Sequence, residues 1–332
     1  MAKILVTGGA GMIGAPLTRQ LVYDGHDVTL MDLRSPASLH ILREFDLDRK
    51  GNTLGSVTDQ RLVDRLVQGQ DYVIHLAAVL PPKADANHEL AQEVNISGLD
   101  NIIRAIINNQ NHAVLIFASS VSVYGNRLDS PEIHTDDLHN PGEDYYALTK
   151  SNGEKHIKLA GIKYAIFQLG AVFGPELLKP QPLMFKMPLE TKIEWMHKDD
   201  AAMAFARAIG NEAILEQTLH LAGGEACRCA YKEFLEMVYE SLGFGQYSLP
   251  KNLFSKKGWH CGYMADSEKT LQILDLFPRG LIEIRQEIEE IGRTDLRFKA
   301  LRIIPKRLRQ QLMTSYLQVL AEGDYENSKR KA

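Results

Sequence analysis

The chain predicts an α/β fold, a doubly wound parallel sheet carrying a smaller, discontinuous substrate-binding lobe. Three observations carry that expectation. The first is a short apolar run, Lys3-Ile4-Leu5-Val6-Thr7, that enters the glycine-spaced turn Gly8-Gly9-Ala10-Gly11-Met12-Ile13-Gly14. The second is an alternation of short apolar strands with helix-patterned segments through the first half of the chain, the signature of parallel strands with helices on both faces. The third is Tyr146-Ala147-Leu148-Thr149-Lys150, in which Tyr and Lys stand at i and i+4 and share one face of a helix.

The elements follow in order. Residues 4–6 form a strand and 15–23 the helix after the glycine turn; 27–31 is a second strand followed by a loop. A helix over 59–67 precedes a strand over 72–76, a helix over 89–108 precedes a strand over 114–118, and a helix over 146–159 precedes a strand over 164–169. From Gly174 onward Pro175, Pro180, Pro182 and Pro188 exclude helix until about Asp199. A helix over 199–209 and a strand over 218–221 then rejoin the main sheet. The expected division is 1–175 and 197–222 for the dinucleotide-binding domain, 176–196 and 223–290 for the substrate lobe, and 291–332 for a basic helical C-terminal extension. Within that extension, 296–320 reads as one long helix with Arg297, Lys299, Arg302, Lys306, Arg307 and Arg309 among apolar residues. Packing on its own fold or on a partner subunit is favoured for it over contact with a membrane surface.

A chain of 332 residues with 45% hydrophobic content can bury a full core. A net charge of −4 argues against a general nucleic-acid binder. The start of the sequence has no long apolar stretch with a small-residue cleavage site, and no run approaches a membrane span, so the cytoplasm is the expected location. Three cysteines, Cys227, Cys229 and Cys261, lack a partnering Cys/His pair at zinc spacing and read as reduced structural thiols; no metal site is expected.

The chemistry gathers where strands end. Gly8 and Gly11 permit a tight turn and close approach of a pyrophosphate, and Gly14 lets the helix lie directly on the strand, so backbone N–H groups at a helix N-terminus face the anion. Asp32 ends the second strand, placed for a carboxylate to reach ribose hydroxyls and repel a 2′-phosphate. This favours NAD over NADP, although Arg34 offers an alternative receiver for that phosphate. His75 ends an apolar strand and reads as a packed, hydrogen-bonded histidine, while Ala77 and Ala78 let the chain pass beneath a cofactor. Ser119 and Ser120 follow the strand over 114–118. A hydroxyl there, with Tyr146 and Lys150, suits a ketone/alcohol centre: a neutral donor holds the oxygen, a phenol moves the proton, and an ammonium lowers the phenol's pKa.

These residues carry a resemblance. The chain resembles an extended short-chain dehydrogenase/reductase of the NAD-dependent epimerase/dehydratase family, over roughly residues 3–280. The glycine turn, Asp32, residues 73–78, 95–101 and 117–125, the Tyr146/Lys150 pair, and residues 172–175, 196–202 and 266–274 occur in family order. The resemblance implies a Rossmann domain. It implies Tyr146 as catalytic acid/base, Lys150 as the residue that tunes it and binds the nicotinamide ribose, and Ser120 as the hydroxyl that orients the reacting oxygen. It implies cofactor contacts at Thr7, Gly8, Gly11, Met12, Ile13, Gly14, Asp32, Ser56, Val57, Ala77 and Ala78, besides Tyr146 and Lys150. His197 and Asp200 match a motif of partly structural role.

Departures narrow the reading. Val121 and Ser122 stand where family dehydratases carry an acidic pair, which disfavours elimination of water. Ser56 replaces an adenine-contacting acid, Ile193 an arginine that often clamps a substrate diphosphate, and Ala171 an often-seen substrate-binding Asn. The segment between Pro175 and His197 is also short. The expected activity is hydride transfer at a secondary alcohol or ketone of a small molecule, of a sugar or sugar nucleotide. The alternatives are a dehydrogenase/reductase of a non-nucleotide alcohol or ketone, and a non-catalytic NAD(P)-binding regulator. A homodimer through the helices at 89–108 and 146–159 is expected, with Ile102, Ile106 and Ile157 free for a partner.

Overall fold

Residues 1–47, 51, 53–109 and 112–329 are described in a computed structural model, with side chains to residue 323. Strands β1 (Lys3–Thr7), β2 (Asp27–Met31), β3 (Tyr72–His75) and β4 (Val114–Ser120) alternate with helices α1 (Gly14–Tyr23), α2 (Pro36–Glu44), α3 (Gln60–Val67), α4 (Lys83–Ala86), α5 (His88–Gln92) and α6 (Gly98–Asn109). A short β5 (Glu132–Ile133) precedes α7 (Tyr145–Leu159), β6 (Tyr164–Leu169), β7 (Ala171–Phe173), β8 (Lys192–His197), α8 (Lys198–Arg207) and β9 (Gln217–Leu221). The chain ends with β10 (Arg228–Ala230), α9 (Tyr231–Tyr239), β11 (Tyr263–Met264), α10 (Ser267–Ile273), α11 (Leu281–Thr294), α12 (Leu296–Ile303) and α13 (Lys306–Lys329).

The central sheet has six parallel strands in the order β2-β1-β3-β4-β6-β9, so the order reverses on either side of β1. Its strands read as unbroken apolar runs because both faces are covered. Ile4, Val6, Ile74 and Phe167 pack with residues of α1 and α8 on one face. Leu5, Val73, Leu115 and Ile166 pack with residues of α3 and α6 on the other. Thr7 pairs with both Met31 and His75, so β1, β2 and β3 end together, while β4 runs three residues past Phe117, the partner of His75, to Ser120. A second, three-stranded sheet, β10-β8-β7, sits over an aromatic cluster that includes Phe173, Trp195, Tyr231 and Phe234.

The structure departs from the sequence expectations in four places. The loop after β2 contains α2, started by Ser35, whose hydroxyl accepts from the Ser38 amide at 3.1 Å, with Pro36 at the first helical position. The helix expected over 89–108 is a rod with a π turn at Glu93–Ser97 between α5 and α6. The helix expected over 296–320 breaks after Ile303, because Pro305 holds Ile304 extended, at φ −75° and ψ 135°. The extension is packed on this chain: Leu317 is fully buried in the aromatic cluster's core, and Arg309 donates to the Gly243 carbonyl at 2.5 Å.

The fourth departure concerns the residues expected to meet a partner subunit. Ile102, Ile106 and Ile157 are buried in the core of this chain among Leu5, Val73 and Leu115. On these helices, Ile107, Leu148 and Leu159 are the exposed large apolar residues instead. Helix phase explains the difference: i and i+4 positions that face the sheet cannot also face outward.

Candidate active site

The glycine turn is built by steric necessity. Gly8 adopts φ +70°, and a Cβ on it would come within 2.9 Å of the Ala77 amide nitrogen, so the turn lies directly on the segment leaving β3. A Cβ on Gly14 would stand 2.0 Å from the Gly8 carbonyl oxygen, so α1 can begin there only without a side chain. Gly11, Met12, Ile13 and Gly14, where the turn enters α1, thereby line a cavity of about 720 Å³.

That cavity collects nearly all the residues expected from sequence. Gly8, Gly11, Met12, Ile13, Gly14, Asp32, Ser56, Val57, Ala77, Ala78, Ser120, Tyr146 and Lys150 all line it. Thr7 does not: it is fully buried, its hydroxyl 2.7 Å from Nδ1 of His75 and 3.4 Å from the Ala77 amide, and it ties β1 to β3 behind the cavity wall. His75 is the packed histidine expected. It stacks on Phe117, and burial lowers its pKa to about 3, with the Lys150 charge acting in the same direction.

At one end of the cavity Asp32 uses its carboxylate to accept the Ala10 amide at 2.9 Å and the Leu33 amide at 2.7 Å, which fixes it beside the glycine turn. Arg34 is exposed and outside the lining. Ser56 accepts from the Thr58 hydroxyl at 2.9 Å, and Val57 packs where a Cβ on Gly98 would intrude.

At the other end stand Ser120, Tyr146 and Lys150. Helix α7 starts here because Asp144 caps it, accepting the Ala147 amide at 2.9 Å. Its Tyr146, Lys150 and Glu154 form a stripe at i, i+4 and i+8 that faces β4. Ser120 serves two roles: its hydroxyl caps the turn Val121–Tyr124 by accepting the Ser122 amide at 3.1 Å, and it hydrogen-bonds the Tyr146 phenol.

One electrostatic expectation is corrected. Lys150 donates to the Ala118 carbonyl at 2.6 Å and lies 5.8 Å from the centre of the Tyr146 ring. Held there, it does not depress the phenol's pKa. Burial, reinforced by Asp144, pushes the Tyr146 phenol well above its ordinary value, and only the Ser120 hydrogen bond opposes this. Burial in turn lowers Lys150 to about 7, against the attraction of Glu154.

Two residues with no role assigned from sequence complete the site. Asn95, in the π turn, accepts the Val79 amide at 2.7 Å and donates to Thr149 at 3.0 Å, which joins the loop after β3 to the middle of α7. Glu154, buried, accepts from Ser119 and from Gln168 at 3.0 Å, locking α7 against β4 and β6. The spacing of Glu154 from Lys150 is a readable signal. The π turn that aims Asn95 is not, because it depends on one extra residue per turn.

All three cysteines are free and buried, and burial raises Cys227 and Cys261 to about 12 and Cys229 to about 11, so none is a ready thiolate. Among the described residues, no group of three or more His, Cys, Asp or Glu side chains is arranged to hold a metal ion, and no helix is long and apolar enough to cross a membrane.

Residues 4–218 match the NAD dependent epimerase/dehydratase family. A UDP-glucose 4-epimerase from Lactobacillus helveticus is 32% identical over 180 residues, 52% of this chain and 52% of that protein. A D-erythronate dehydrogenase from Cupriavidus necator is 30% identical over 164 residues, 46% of this chain and 48% of that one. The chain thus spans about half the length of these curated relatives. Among solved structures, the UDP-glucose 4-epimerase of Thermotoga maritima with UDP-glucose aligns with a TM-score of 0.73 at 19% identity, over 89% of this chain and 99% of the other.

Proposed function

Because the chain belongs to the NAD dependent epimerase/dehydratase family, we propose that it is an NAD-dependent oxidoreductase or epimerase acting at a secondary alcohol or ketone carbon of a small molecule. The observation that carries this is one cavity lined by both a glycine turn at a helix N-terminus and the Ser120, Tyr146, Lys150 set. NAD, when bound, supplies a carbon that takes the hydrogen and electron pair of an alcohol C–H bond, or returns them to a ketone.

The glycine turn fits a pyrophosphate: side chains at Gly8 and Gly14 would collide with backbone, and their absence lets an anion approach the start of α1. Asp32 would meet the adenosine ribose, and its charge disfavours a 2′-phosphate. Ser120 holds the substrate oxygen. In the reducing direction the neutral Tyr146 phenol gives its proton to that oxygen as the C–O double bond becomes single; in the oxidising direction the phenolate takes the hydroxyl proton as the double bond forms. The raised pKa of Tyr146 keeps the phenol protonated, so the resting site is set to donate. Lys150, lowered to about 7 by burial, stands on the same face of α7 with its ammonium 5.8 Å from the centre of the Tyr146 ring, where it would hold the nicotinamide ribose.

Val121 and Ser122 lack the acid needed for elimination. Ile193, fully buried in β8, offers nothing to a diphosphate. The buried Ile193 favours a non-nucleotide substrate, and Val121 and Ser122 speak only against elimination. Tyr146→Phe tests the assignment: turnover falls roughly a hundred- to ten-thousand-fold while NAD affinity holds. Tyr145→Phe is the control; its ring stacks on His88 outside the cavity, and its loss leaves turnover nearly unchanged. Dependence on Tyr145 instead of Tyr146 would overturn the mechanism.

A further inference from the structure

Lys150 is buried, 3% exposed, and among the described residues its one hydrogen-bond acceptor is the Ala118 carbonyl at 2.6 Å. A buried cation needs more than that to stay charged. One turn further along α7 stands Glu154, 1% exposed. The two side chains grip consecutive residues of β4: Lys150 donates to Ala118, and Glu154 accepts from the Ser119 hydroxyl. One helix face and one strand thus hold them together, and the Glu154 charge favours the protonated form of Lys150.

The hydrogen bonds that reach Glu154 all run toward it. The Tyr124 hydroxyl donates to Oε1 of Gln168 at 2.5 Å, so His220, whose Nε2 lies 3.0 Å from that hydroxyl, must be the donor to it. Gln168 in turn gives its amide to Glu154 at 3.0 Å and to Nε2 of His139 at 3.3 Å. A run of donors that ends in this way requires a carboxylate at its end.

The neighbouring cations compete poorly for that charge. Lys158, one turn on in α7, comes within 3.6 Å, but its side chain is 43% exposed and water screens it. His139, in the loop before α7, comes within 3.7 Å; burial, with Lys158 and Lys155 acting the same way, holds it below its ordinary pKa against the pull of Glu154, so it is neutral near pH 7. The other titratable groups facing the pair are uncharged there too. Burial pushes up the phenols of Tyr124, beside Glu154, and Tyr146, beside Lys150, and His75 of β3 is lowered to about 3.

We propose that Glu154 is a positioning residue of the hydride-transfer site: its buried carboxylate is the counter-charge that keeps Lys150 an ammonium, with two donors left to hold a ribose. The proposal rests on the hydride-transfer reading above and adds to it a residue that acts through Lys150. Glu154 itself stands outside the cavity lining.

Lysine labelled with ¹³C at Cε is incorporated into the full-length protein, and the Lys150 resonance, identified by its loss in Lys150→Met, is followed by NMR across the neutral pH range without cofactor. The wild type should titrate at about 7. Glu154→Gln keeps an acceptor for Ser119 and Gln168 but no charge, and its Lys150 midpoint should fall by roughly one unit or more. Ser119→Ala, which cuts the tether to β4 and spares the carboxylate, should leave the midpoint near the wild-type value. A midpoint unmoved in Glu154→Gln, or displaced as far in Ser119→Ala, overturns the proposal and leaves Glu154 a lock between helix and sheet. If Glu154→Gln does not fold, the double variant with Lys150→Met decides: a counter-charge becomes dispensable once its cation is gone, so folding returns, whereas a lock stays broken. The two readings separate cleanly. A Lys150 midpoint that moves as expected, in a protein whose bound NADH no ketone oxidises, sustains the counter-charge and counts against hydride transfer; NADH oxidised with the midpoint unmoved does the opposite.

Discussion

Replacing Lys150 with Met removes a buried ammonium and leaves a chain of similar reach. Lys150 is lowered from 10.5 to about 7, chiefly by burial. At 1.36 kcal/mol for each tenfold change in proton affinity, this places a penalty on the order of 5 kcal/mol on the charged form in the folded state. The sign follows from proton counting. Between about pH 7 and pH 10.5 the unfolded chain carries a proton that the folded chain has lost, so wild-type stability rises with pH across that window. Below it Lys150 is charged in both states and the penalty is fully felt; above it the penalty is gone. Lys150→Met feels no such term, and forfeits only the hydrogen bond to Ala118, worth about 1 kcal/mol. Its stability relative to wild type should therefore be greatest near pH 6 and should fall by several kcal/mol towards pH 10. Urea unfolding at both ends of the window, by linear extrapolation, measures this directly. A constant difference between the two proteins would mean that Lys150 titrates at its ordinary value and that burial does not govern its charge. Turnover should be lost in the variant at every pH.

Other expectations follow from the same geometry. Calorimetric titration should find NAD bound more tightly than NADP, because the Asp32 carboxylate is fixed by the Ala10 and Leu33 amides at the cavity edge while Arg34 lies outside the lining; tighter NADP binding would move the recognition to Arg34. Ile106→Ala should cost about 2–5 kcal/mol in chemical unfolding, since it empties space in a closed core. A change of oligomeric mass by light scattering without that loss would restore Ile106 to an interface.

Most of the sheet was legible because each parallel strand is an apolar run bounded by turn residues, and both faces are buried. The glycine turn and the Tyr146/Lys150 pair were legible for a stronger reason: a 2.0 Å collision at Gly14 permits no other residue, and one helix turn fixes which side chains share a face. What escaped depends on contacts between distant segments. The burial that raises Tyr146 and lowers Lys150 is a tertiary property, so the expected depression of the phenol's pKa did not survive the fold. Amphipathic spacing identified Ile102, Ile106 and Ile157 as apolar without saying which apolar face meets the sheet. Pro305 marked the break between α12 and α13, but the run of basic and apolar residues around it masked the stop.

The central claim is that the cavity holding the glycine turn and Tyr146 both binds NAD and changes its redox state. Cofactor fluorescence reads both events. NADH added to the protein should brighten as it binds, and that emission should decay when a ketone accepted by the site is supplied, in the wild type and not in Tyr146→Phe. Bound NADH that keeps its emission across a broad panel of ketones in the wild type would contradict the account and leave a protein that holds the cofactor without using it.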